Sequence, residues 1–347
     1  MPEIISKSDI RALSLPQLTE SITGLGEKKF RASQIHDWLW KKSAVSFGEM
    51  TNISNELRTQ LETNFIINTI AEDKIQKSFD GTLKARYRLH DGNFIETVLI
   101  PVPLDNRFTV CVSTQVGCSL TCKFCATGQM GRIRNLEPSE IYDQVVAMNR
   151  YAMSVYNHPV TNIVYMGMGE PLLTYKNTLE SVTRISEGLT FSPKRITVST
   201  AGIAKMIRKL GDDDVKFNLA LSLHAADDMK RNEIMPINEQ NNLDVLIDAL
   251  EHFYNKTRNR ITYEYIAFKD FNDDLNDAAR LVRLCKKFPV RVNIIEYNTV
   301  EGLNFVKSDD NKIDSFAAYL NDKGIAVTVR KSRGKDIDAA CGQLANK

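Results

Sequence analysis

From about residue 107 onward, the sequence alternates short apolar runs with longer amphipathic ones. Such alternation is typical of buried strands connected by helices that pack on the sheet. The predicted strands are Phe108–Val112, Asn162–Met166, Arg195–Ser199, Phe217–Leu223, Ile261–Phe268, Val290–Tyr297 and, last, Ile325–Arg330. The predicted helices between them include Ser139–Ala152, Leu243–Tyr254 and Asp274–Phe288. Successive βα units predict an α/β fold with a parallel sheet, open or closed into a partial six-unit barrel.

Two further segments precede the βα units, and a short tail follows them. The sequence up to about residue 70 has apolar residues at helical spacing and predicts a small helical lobe. The next segment contains the dipeptides Asp80-Gly81 and Asp91-Gly92, which favour tight hairpin turns. We therefore predict a helical lobe at 1–70, a β-hairpin linker at 71–103, a core barrel at 104–337 and a carboxy-terminal tail at 338–347.

Composition excludes several classes of protein. The chain has 45 Lys and Arg against 43 Asp and Glu, and this near balance excludes a histone-like polycation. With 43% apolar and 25% charged residues it has the composition of a globular protein. No apolar run is long enough to span a bilayer, and the first residues do not resemble a secretory signal. We expect a cytoplasmic protein without a membrane partner.

Three of the six cysteines lie within eight residues, directly after the first barrel strand. Cys118, Cys122 and Cys125 have the spacing Cys-x3-Cys-x2-Cys, which indicates metal binding in a reducing compartment. A structural zinc site takes four ligands, as does an ordinary four-iron electron-transfer cluster. A cluster held by three cysteines keeps one iron free for a substrate. A zinc site completed by Cys111 or by a distant histidine is the alternative.

Because Phe124 precedes the last of these cysteines, the motif resembles the Cys-x3-Cys-x-aromatic-Cys signature of radical S-adenosylmethionine (SAM) enzymes. The resemblance implies a partial six-unit βα barrel, which the strand pattern predicts independently. It also implies a 4Fe-4S cluster whose open iron binds the amino and carboxylate groups of SAM. One electron from the cluster would then cleave SAM to methionine and a 5′-deoxyadenosyl radical.

Polar residues and glycines follow the other predicted strands, where ligands of parallel α/β sheets bind. The segment Met166-Gly-Met-Gly-Glu-Pro is similar to the SAM motif of that superfamily, although Met168 replaces its first glycine. Glycine permits close backbone approach, and a carboxylate accepts hydrogen bonds from an ammonium group. The residues that we predict to bind SAM are Gly169, Glu170, Ser199, Ser222, Leu223, His224 and Asn298.

Two more cysteines narrow the resemblance. Together with the cluster motif, Cys111 and the carboxy-terminal Ala-Cys341-Gly-Gln-Leu resemble the RlmN and Cfr family of RNA methyltransferases, and the RlmN branch most closely. The resemblance implies that Cys341 carries the methyl group as S-methylcysteine and that Cys111 resolves a protein–RNA adduct through a transient disulfide. It assigns the general base to Glu96. We interpret Cys285 as an ordinary buried thiol.

The resemblance implies methylation of C2 of an adenine in 23S rRNA and of the adenine 3′ of the anticodon in tRNA. It also implies an electron donor such as a flavodoxin system, and we expect a monomer. Methylation at C8 is the close alternative. A noncatalytic zinc-dependent RNA-binding protein and a radical SAM activase are alternatives of other classes, although the activase gives no role to Cys341.

Basic residues indicate where RNA could bind, since phosphate contacts supply much of RNA affinity. One group flanks Trp38 and Trp40 in the lobe, a second follows the cluster motif and a third precedes Cys341. At least one of the two tryptophans is expected to pack in the core of the lobe. We expect a loop adenine to be extruded into the site. The basic residues are Lys28, Lys29, Arg31, Lys41, Lys42, Arg132, Arg134, Arg330, Lys331, Arg333 and Lys335.

Overall fold

One ten-stranded sheet organises the computed structural model, which describes residues 7–347. Its strand order is β14-β13-β12-β11-β10-β9-β6-β5-β4-β3, and two short two-stranded pairs, β1 with β2 and β7 with β8, lie outside it. The strands are β1 Ser8–Asp9, β2 Phe65–Ile66, β3 Ala71–Lys77, β4 Leu83–Arg88, β5 Phe94–Val102, β6 Arg107–Cys111, β7 Gln115–Val116, β8 Arg134–Asn135, β9 Asn162–Tyr165, β10 Ile196–Thr200, β11 Asn218–Ser222, β12 Ile261–Ala267, β13 Val290–Glu296 and β14 Ala326–Arg330.

Seven neighbouring strands, β6 and β9 to β14, are parallel, and helices connect successive strands along most of this part of the chain. The predicted α/β fold is therefore confirmed, and the strands lie within two residues of their predicted bounds. The helices in the described residues are α1 Leu15–Gly24, α2 Phe30–Trp40, α3 Asn55–Asn64, α4 Pro138–Tyr156, α5 Tyr175–Gly188, α6 Ala204–Asp212, α7 Asp228–Ile234, α8 Leu243–Thr257, α9 Leu275–Cys285 and α10 Asp310–Asp322. None of these helices is long and apolar enough to cross a membrane.

The segment that the sequence indicates as a hairpin linker extends the same sheet. Strands β3, β4, β5 and β6 pair antiparallel, so that β5 joins the hairpin to the barrel strands. The two predicted turn dipeptides lie between β3 and β4 and between β4 and β5, where Gly81 and Gly92 have φ of +88° and +84°. Glycine adopts this left-handed conformation without the steric cost of a Cβ.

The amino-terminal lobe docks on helix α4 of the barrel. Trp40 at the end of α2 is buried and packs edge to face against Tyr142, with ring centroids 5.2 Å apart. Buried Arg11 forms a bidentate salt bridge with Asp143, at 2.7 and 3.0 Å. Trp38 is only partly buried and carries the Lys42 ammonium over its ring. The prediction that at least one tryptophan packs in the lobe core is thus confirmed.

The chain after β14, residues 331–347, returns along the face of β4 and β5 and ends in the predicted tail, 338–347. It starts after the last barrel strand and reaches the β3–β4 turn, where Asp80 accepts a hydrogen bond from the Gly334 amide at 3.0 Å. It then runs toward the start of β5, where the Asn346 side chain donates to the Phe94 carbonyl at 2.9 Å. Cys341 lies between these two anchors. The tail is therefore held lengthwise against the sheet extension.

Candidate active site

A cavity opens beyond the carboxyl ends of the parallel strands. Its wall is built from residues at the ends of β9 to β13, from the loop after β6 and from the tail. Parallel α/β sheets bind their ligands at this end, since the loops that follow the strands converge there. The predicted site residues on this wall are Cys118, Cys122, Cys125, Gly169, Glu170, Ser199, Ser222, His224 and Cys341.

The three clustered cysteines lie on a loop that short-range backbone contacts hold in place. Strands β7 and β8 close its base, and the Cys118 amide donates to the Gly131 carbonyl at 3.3 Å. Gly117 has φ of +74°, and a Cβ there would collide with the Gly131 carbonyl. The Lys123 amide donates to the Ile234 carbonyl of α7 at 3.0 Å. The cysteine loop is thereby held at its base by β7 and β8 and at Lys123 by helix α7.

Burial disfavours the thiolate forms of Cys118 and Cys122. Desolvation raises the pKa of Cys118 to about 11 and raises the pKa of Cys122 still further. Metal binding displaces thiol protons, so a bound cation would remove this penalty. Among residues 7–347, no three His, Cys, Asp or Glu side chains converge as ligands of one ion do. The three thiols instead share the wall of a cavity that has room for a larger group.

Glu170 is held in one orientation by backbone donors. Its Oε1 accepts from the Leu172 amide at 2.9 Å and its Oε2 from the Ala201 amide at 2.7 Å. The side chain is 3% exposed, and burial raises its pKa. Because each carboxylate oxygen has a second lone pair, Glu170 can still accept from an ammonium group in the cavity.

Gly169 and Gln115 connect Glu170 to the cysteine loop. Gly169 has φ of +99°, and a Cβ there would lie 2.6 Å from the Gln115 side chain. The Gln115 Oε1 accepts from the amides of Glu170 and Ser119, at 3.1 and 3.2 Å. Gln115 escaped the sequence analysis because a single glutamine after a strand carries no motif.

His224 at the end of β11 is a neutral imidazole. Desolvation is the main cause that lowers its pKa to about 3, and the Arg231 charge adds to it. Its Nδ1 accepts from the Ile266 amide at 3.1 Å, which leaves the proton on Nε2. Its φ of +55° lies in the left-handed region, which is uncommon for residues other than glycine. Neighbouring Leu223 is buried outside the cavity wall, and only its backbone can serve a ligand.

The tail brings Cys341 to the cavity and fixes it there. Its carbonyl accepts from the Asn298 side chain at 3.4 Å, which places Asn298 behind the tail and off the cavity wall. The carbonyl of the next residue, Gly342, accepts from the Ala126 amide of the cysteine loop at 2.8 Å. Thr127 donates to the Leu344 carbonyl at 2.6 Å. The tail and the cysteine loop thus form one unit around the Cys341 thiol.

Cys111 and Glu96 lie on the sheet face that the tail covers. Cys111 pairs with Val98 of β5, and Val98 pairs with Lys84 of β4, so all three share a face with Glu96. Burial raises the pKa of Cys111 to about 12, and the neighbouring Cys341 contributes to the rise. All six cysteines are free thiols. Cys285 is buried in α9, as interpreted from the sequence.

Glu96 is fully buried and engaged with the tail. Its Oε2 accepts from the amides of Ala345 and Asn346, at 2.8 and 3.0 Å, and its Oε1 lies 3.2 Å from the Lys84 ammonium. The carboxylate is not on the cavity wall. The structure therefore adds Lys84, which the sequence analysis missed, and shows that the tail covers Glu96 in this state.

Several of the basic residues singled out from the sequence have acidic partners. Arg134 pairs with Asp91 and Glu140, and Lys335 pairs with Glu296 at 2.6 Å. Arg330 lies 3.5 Å from Glu264, a buried carboxylate on the cavity wall. Some of the basic residues predicted to bind RNA therefore form salt bridges within the protein.

This arrangement of the site is the one expected of a radical SAM enzyme. Residues 112–282 match the radical SAM superfamily, and residues 8–67 match the amino-terminal domain of ribosomal RNA large subunit methyltransferases. The cysteines and Glu170 fit the 4Fe-4S cluster and SAM that this superfamily uses. The chain belongs to the RlmN family of radical SAM RNA methyltransferases.

Full-length relatives support this assignment. The chain is 56% identical over 345 residues to a probable dual-specificity RNA methyltransferase RlmN from Cytophaga hutchinsonii, covering 99% of this chain and 94% of the relative. It is 53% identical over 343 residues to the probable RlmN of Christiangramia forsetii, covering 98% and 97%. The crystal structure of a radical SAM methyltransferase from Sphaerobacter thermophilus superimposes with a TM-score of 0.92 at 38% identity, covering 98% and 100%. The alternatives of a zinc-dependent binding protein and an activase are thereby set aside.

Proposed function

We propose that this enzyme methylates C2 of an adenine in 23S rRNA and of the adenine 3′ of the anticodon in tRNA, with Cys341 as the methyl carrier. The observation that carries the proposal is that the Cys341 thiol opens onto the same cavity as the three cluster cysteines and Glu170. Relatives named as dual-specificity RNA methyltransferases support both substrates. Adenine C2 is electron-poor and does not attack a methyl sulfonium, so a carrier and a radical route are needed.

Cys341 acts first as a nucleophile. Its thiolate attacks the methyl carbon of one SAM, a sulfur–carbon bond forms while the sulfonium bond breaks, and S-adenosylhomocysteine leaves. The thiol proton goes to solvent. Cys118, Cys122 and Cys125 would hold the cluster, which would supply the electron for reductive cleavage of a second SAM and would accept one electron back from the RNA adduct. The deoxyadenosyl fragment of that SAM takes a hydrogen atom from the S-methyl group of Cys341 and leaves as 5′-deoxyadenosine, and the remaining methylene carbon bonds to C2.

Glu96 and Cys111 complete the reaction. Glu96 takes the proton from C2, and the Cys111 thiolate attacks the Cys341 sulfur to form a disulfide. The bond between that sulfur and the methylene carbon breaks, its electron pair stays on carbon, and protonation gives the methyl group. Since Glu96 is bound to the amides of Ala345 and Asn346, we infer that the tail end leaves the carboxylate before the base acts.

We propose that the lobe at 1–70 binds RNA. We also propose that the tail at 338–347 moves relative to the barrel at 104–337 and that the segment 71–103 is the surface on which the tail packs. The exposed lobe lysines that flank α2 support the RNA role, since Lys28, Lys29 and Lys41 face solvent. We expect a monomer in the cytoplasm that receives electrons from a donor such as a flavodoxin system.

Nucleoside mass spectrometry tests the proposal. Anaerobically reconstituted enzyme, given 23S rRNA fragments or tRNA with SAM and a reductant, should yield 2-methyladenosine. Finding 8-methyladenosine instead of 2-methyladenosine would show that the enzyme methylates C8 and would reject methylation at C2. Cys341→Ala should abolish methylation, and Cys111→Ala should accumulate a covalent protein–RNA adduct visible on a denaturing gel. Cys285→Ala removes a thiol outside the site and should keep activity.

A further inference from the structure

Arg231 of α7 is a buried cation whose hydrogen-bond partners are all neutral. It is 0% exposed, and its Nε donates to the Leu223 carbonyl at 3.0 Å. Its Nη1 donates to the Asn238 side chain at 2.6 Å. Its Nη2 donates to the carbonyls of Ala201 and Ser222, at 2.5 and 3.2 Å. These four bonds engage all three guanidinium nitrogens but do not neutralise the charge.

A buried charge without a counter-ion is costly, whereas buried charges in proteins are normally paired. Arg11, the other buried arginine of the described residues, follows this rule through its bidentate pair with Asp143. Of the two acidic residues on this helix, Glu233 is exposed, and Asp228 reaches Arg231 only through Asn238, whose side chain donates to Asp228 at 2.7 Å. The Asp228 charge therefore acts on Arg231 only through space. The environment of Arg231 therefore lacks a directly bonded negative group.

The cavity is the place from which a further negative charge could reach Arg231. Two of the carbonyl acceptors of Arg231 come from cavity residues, Ala201 and Ser222. The helix that carries Arg231 also bonds the cysteine loop, through the Ile234 carbonyl and the Lys123 amide. A four-iron cluster bound by three thiolates is anionic, and reduction adds a further negative charge.

Arg231 also acts on Glu170 through one residue. The Ala201 carbonyl accepts from Arg231, and the amide of the same residue donates to Glu170 Oε2 at 2.7 Å. Ala201 therefore lies between the two charged side chains, bonded to Arg231 through its carbonyl and to Glu170 through its amide. Holding this segment fixes the glutamate that we expect to receive the SAM ammonium group.

We propose that Arg231 is a positioning residue that supplies the buried counter-charge of the iron–sulfur cluster and thereby raises its reduction potential. A fixed cation stabilises the reduced cluster more than the oxidised one, because the reduced form carries the greater negative charge. The inference rests on the cofactor of the family and is independent of the adenine carbon that is methylated.

Two substitutions separate the charge from the hydrogen bonds. Arg231→Lys keeps a positive charge, whereas Arg231→Gln keeps an amide donor for the carbonyls and removes the charge. The potential of the reconstituted cluster is measured by a redox titration followed by electron paramagnetic resonance, without RNA. Arg231→Gln should disfavour reduction by about tenfold, which corresponds to a shift of about 59 mV to a more negative potential. Arg231→Lys should stay near the wild-type potential, as should the control Arg11→Lys.

A second measurement does not depend on redox chemistry. The unfolding of each variant is compared with and without the cluster, with iron and sulfide determined for every sample. Arg231→Gln should lose more stability in the cluster-bound protein than in the apoprotein, since only the former contains the anion. An unchanged potential in Arg231→Gln with full iron and sulfide, or equal shifts in the Gln and Lys variants, would overturn the proposal. Failure of both variants to fold would also overturn it, because hydrogen bonding would then explain the residue.

Discussion

The Lys84 ammonium lies 3.2 Å from the Glu96 carboxylate, and both side chains are buried where the tail crosses the sheet. Lys84 also donates to the Asp338 carbonyl at 3.4 Å, while Glu96 accepts from the amide of Ala345 at 2.8 Å. The ion pair therefore contacts the tail on both sides of Cys341. It links the position of Cys341, the proposed methyl carrier, to Glu96, the proposed base.

Replacing Lys84 by methionine should loosen the tail. The substitution leaves the Glu96 charge buried without its partner, and breaking a buried pair in this way costs about 3–5 kcal/mol. We expect a lower unfolding temperature and faster removal of the tail by carboxypeptidase. Lys77→Met replaces an exposed lysine of the same sheet and is the matched control. Digestion of Lys84→Met at the wild-type rate would show that the pair does not hold the tail.

Replacing Gly169 by alanine should weaken SAM binding while the fold is kept. The new Cβ would lie 2.6 Å from the Gln115 side chain, which bonds the Glu170 amide. Displacement of Gln115 would move the proposed ammonium acceptor. We expect at least about a tenfold higher Kd for SAM, equivalent to about 1.4 kcal/mol.

The control for this substitution is Gly26→Ala. Gly26, in the lobe, has a similar positive φ, +83°, but a Cβ added there would meet no atom within 4 Å. Both variants carry the same type of backbone strain, and only Gly169→Ala collides with the site. Isothermal titration with SAM distinguishes them. Equal affinities in the two variants would exclude a role for the Gly169–Gln115 contact.

The sequence predicts the barrel strands well because parallel strands buried on both faces read as continuous apolar runs. It also locates the cysteine motif and most of the cavity wall, since both lie directly after strands. It does not predict Arg231, because a lysine–arginine pair on a short helix is typical of a solvated face. Burial of that arginine depends on three carbonyls at the ends of two different strands, which only the folded chain brings together.

The position of Glu96 shows a second limit. Alternation along β5 places this residue on a defined face, but the partner of that face is a tail more than two hundred residues later. Local sequence contains no signal for such a contact. The contact of Lys84 with the tail is equally unpredictable, because Lys84 lies among the charged residues of β4 and nothing nearby in the sequence indicates that it is buried. Long-range docking therefore decides the environment of the proposed base.

The salt bridge between Arg11 and Asp143 should couple the lobe to the barrel. Arg11→Met alone leaves Asp143 unpaired and should cost about 3–5 kcal/mol of unfolding free energy. The double variant Arg11→Met with Asp143→Leu removes both charges and should be more stable than Arg11→Met. Denaturant unfolding of the wild type, both single variants and the double variant measures the coupling. Additive losses would show that the pair contributes no specific interaction.

Methyl transfer to Cys341 should accelerate with rising pH. Desolvation raises the pKa of this thiol, and the Arg330 charge opposes the rise. Because the thiolate is the nucleophile, the rate below the pKa should increase about tenfold per pH unit. Arg330→Met removes the opposing charge, so the pKa should rise further and the rate at pH 8 should fall by about tenfold. Arg330→Lys keeps the charge and should remain near the wild-type rate, as should Arg333→Met. Mass spectrometry of the tail peptide after a single turnover gives each rate, and a profile that is flat with pH would exclude thiolate formation as the limiting step.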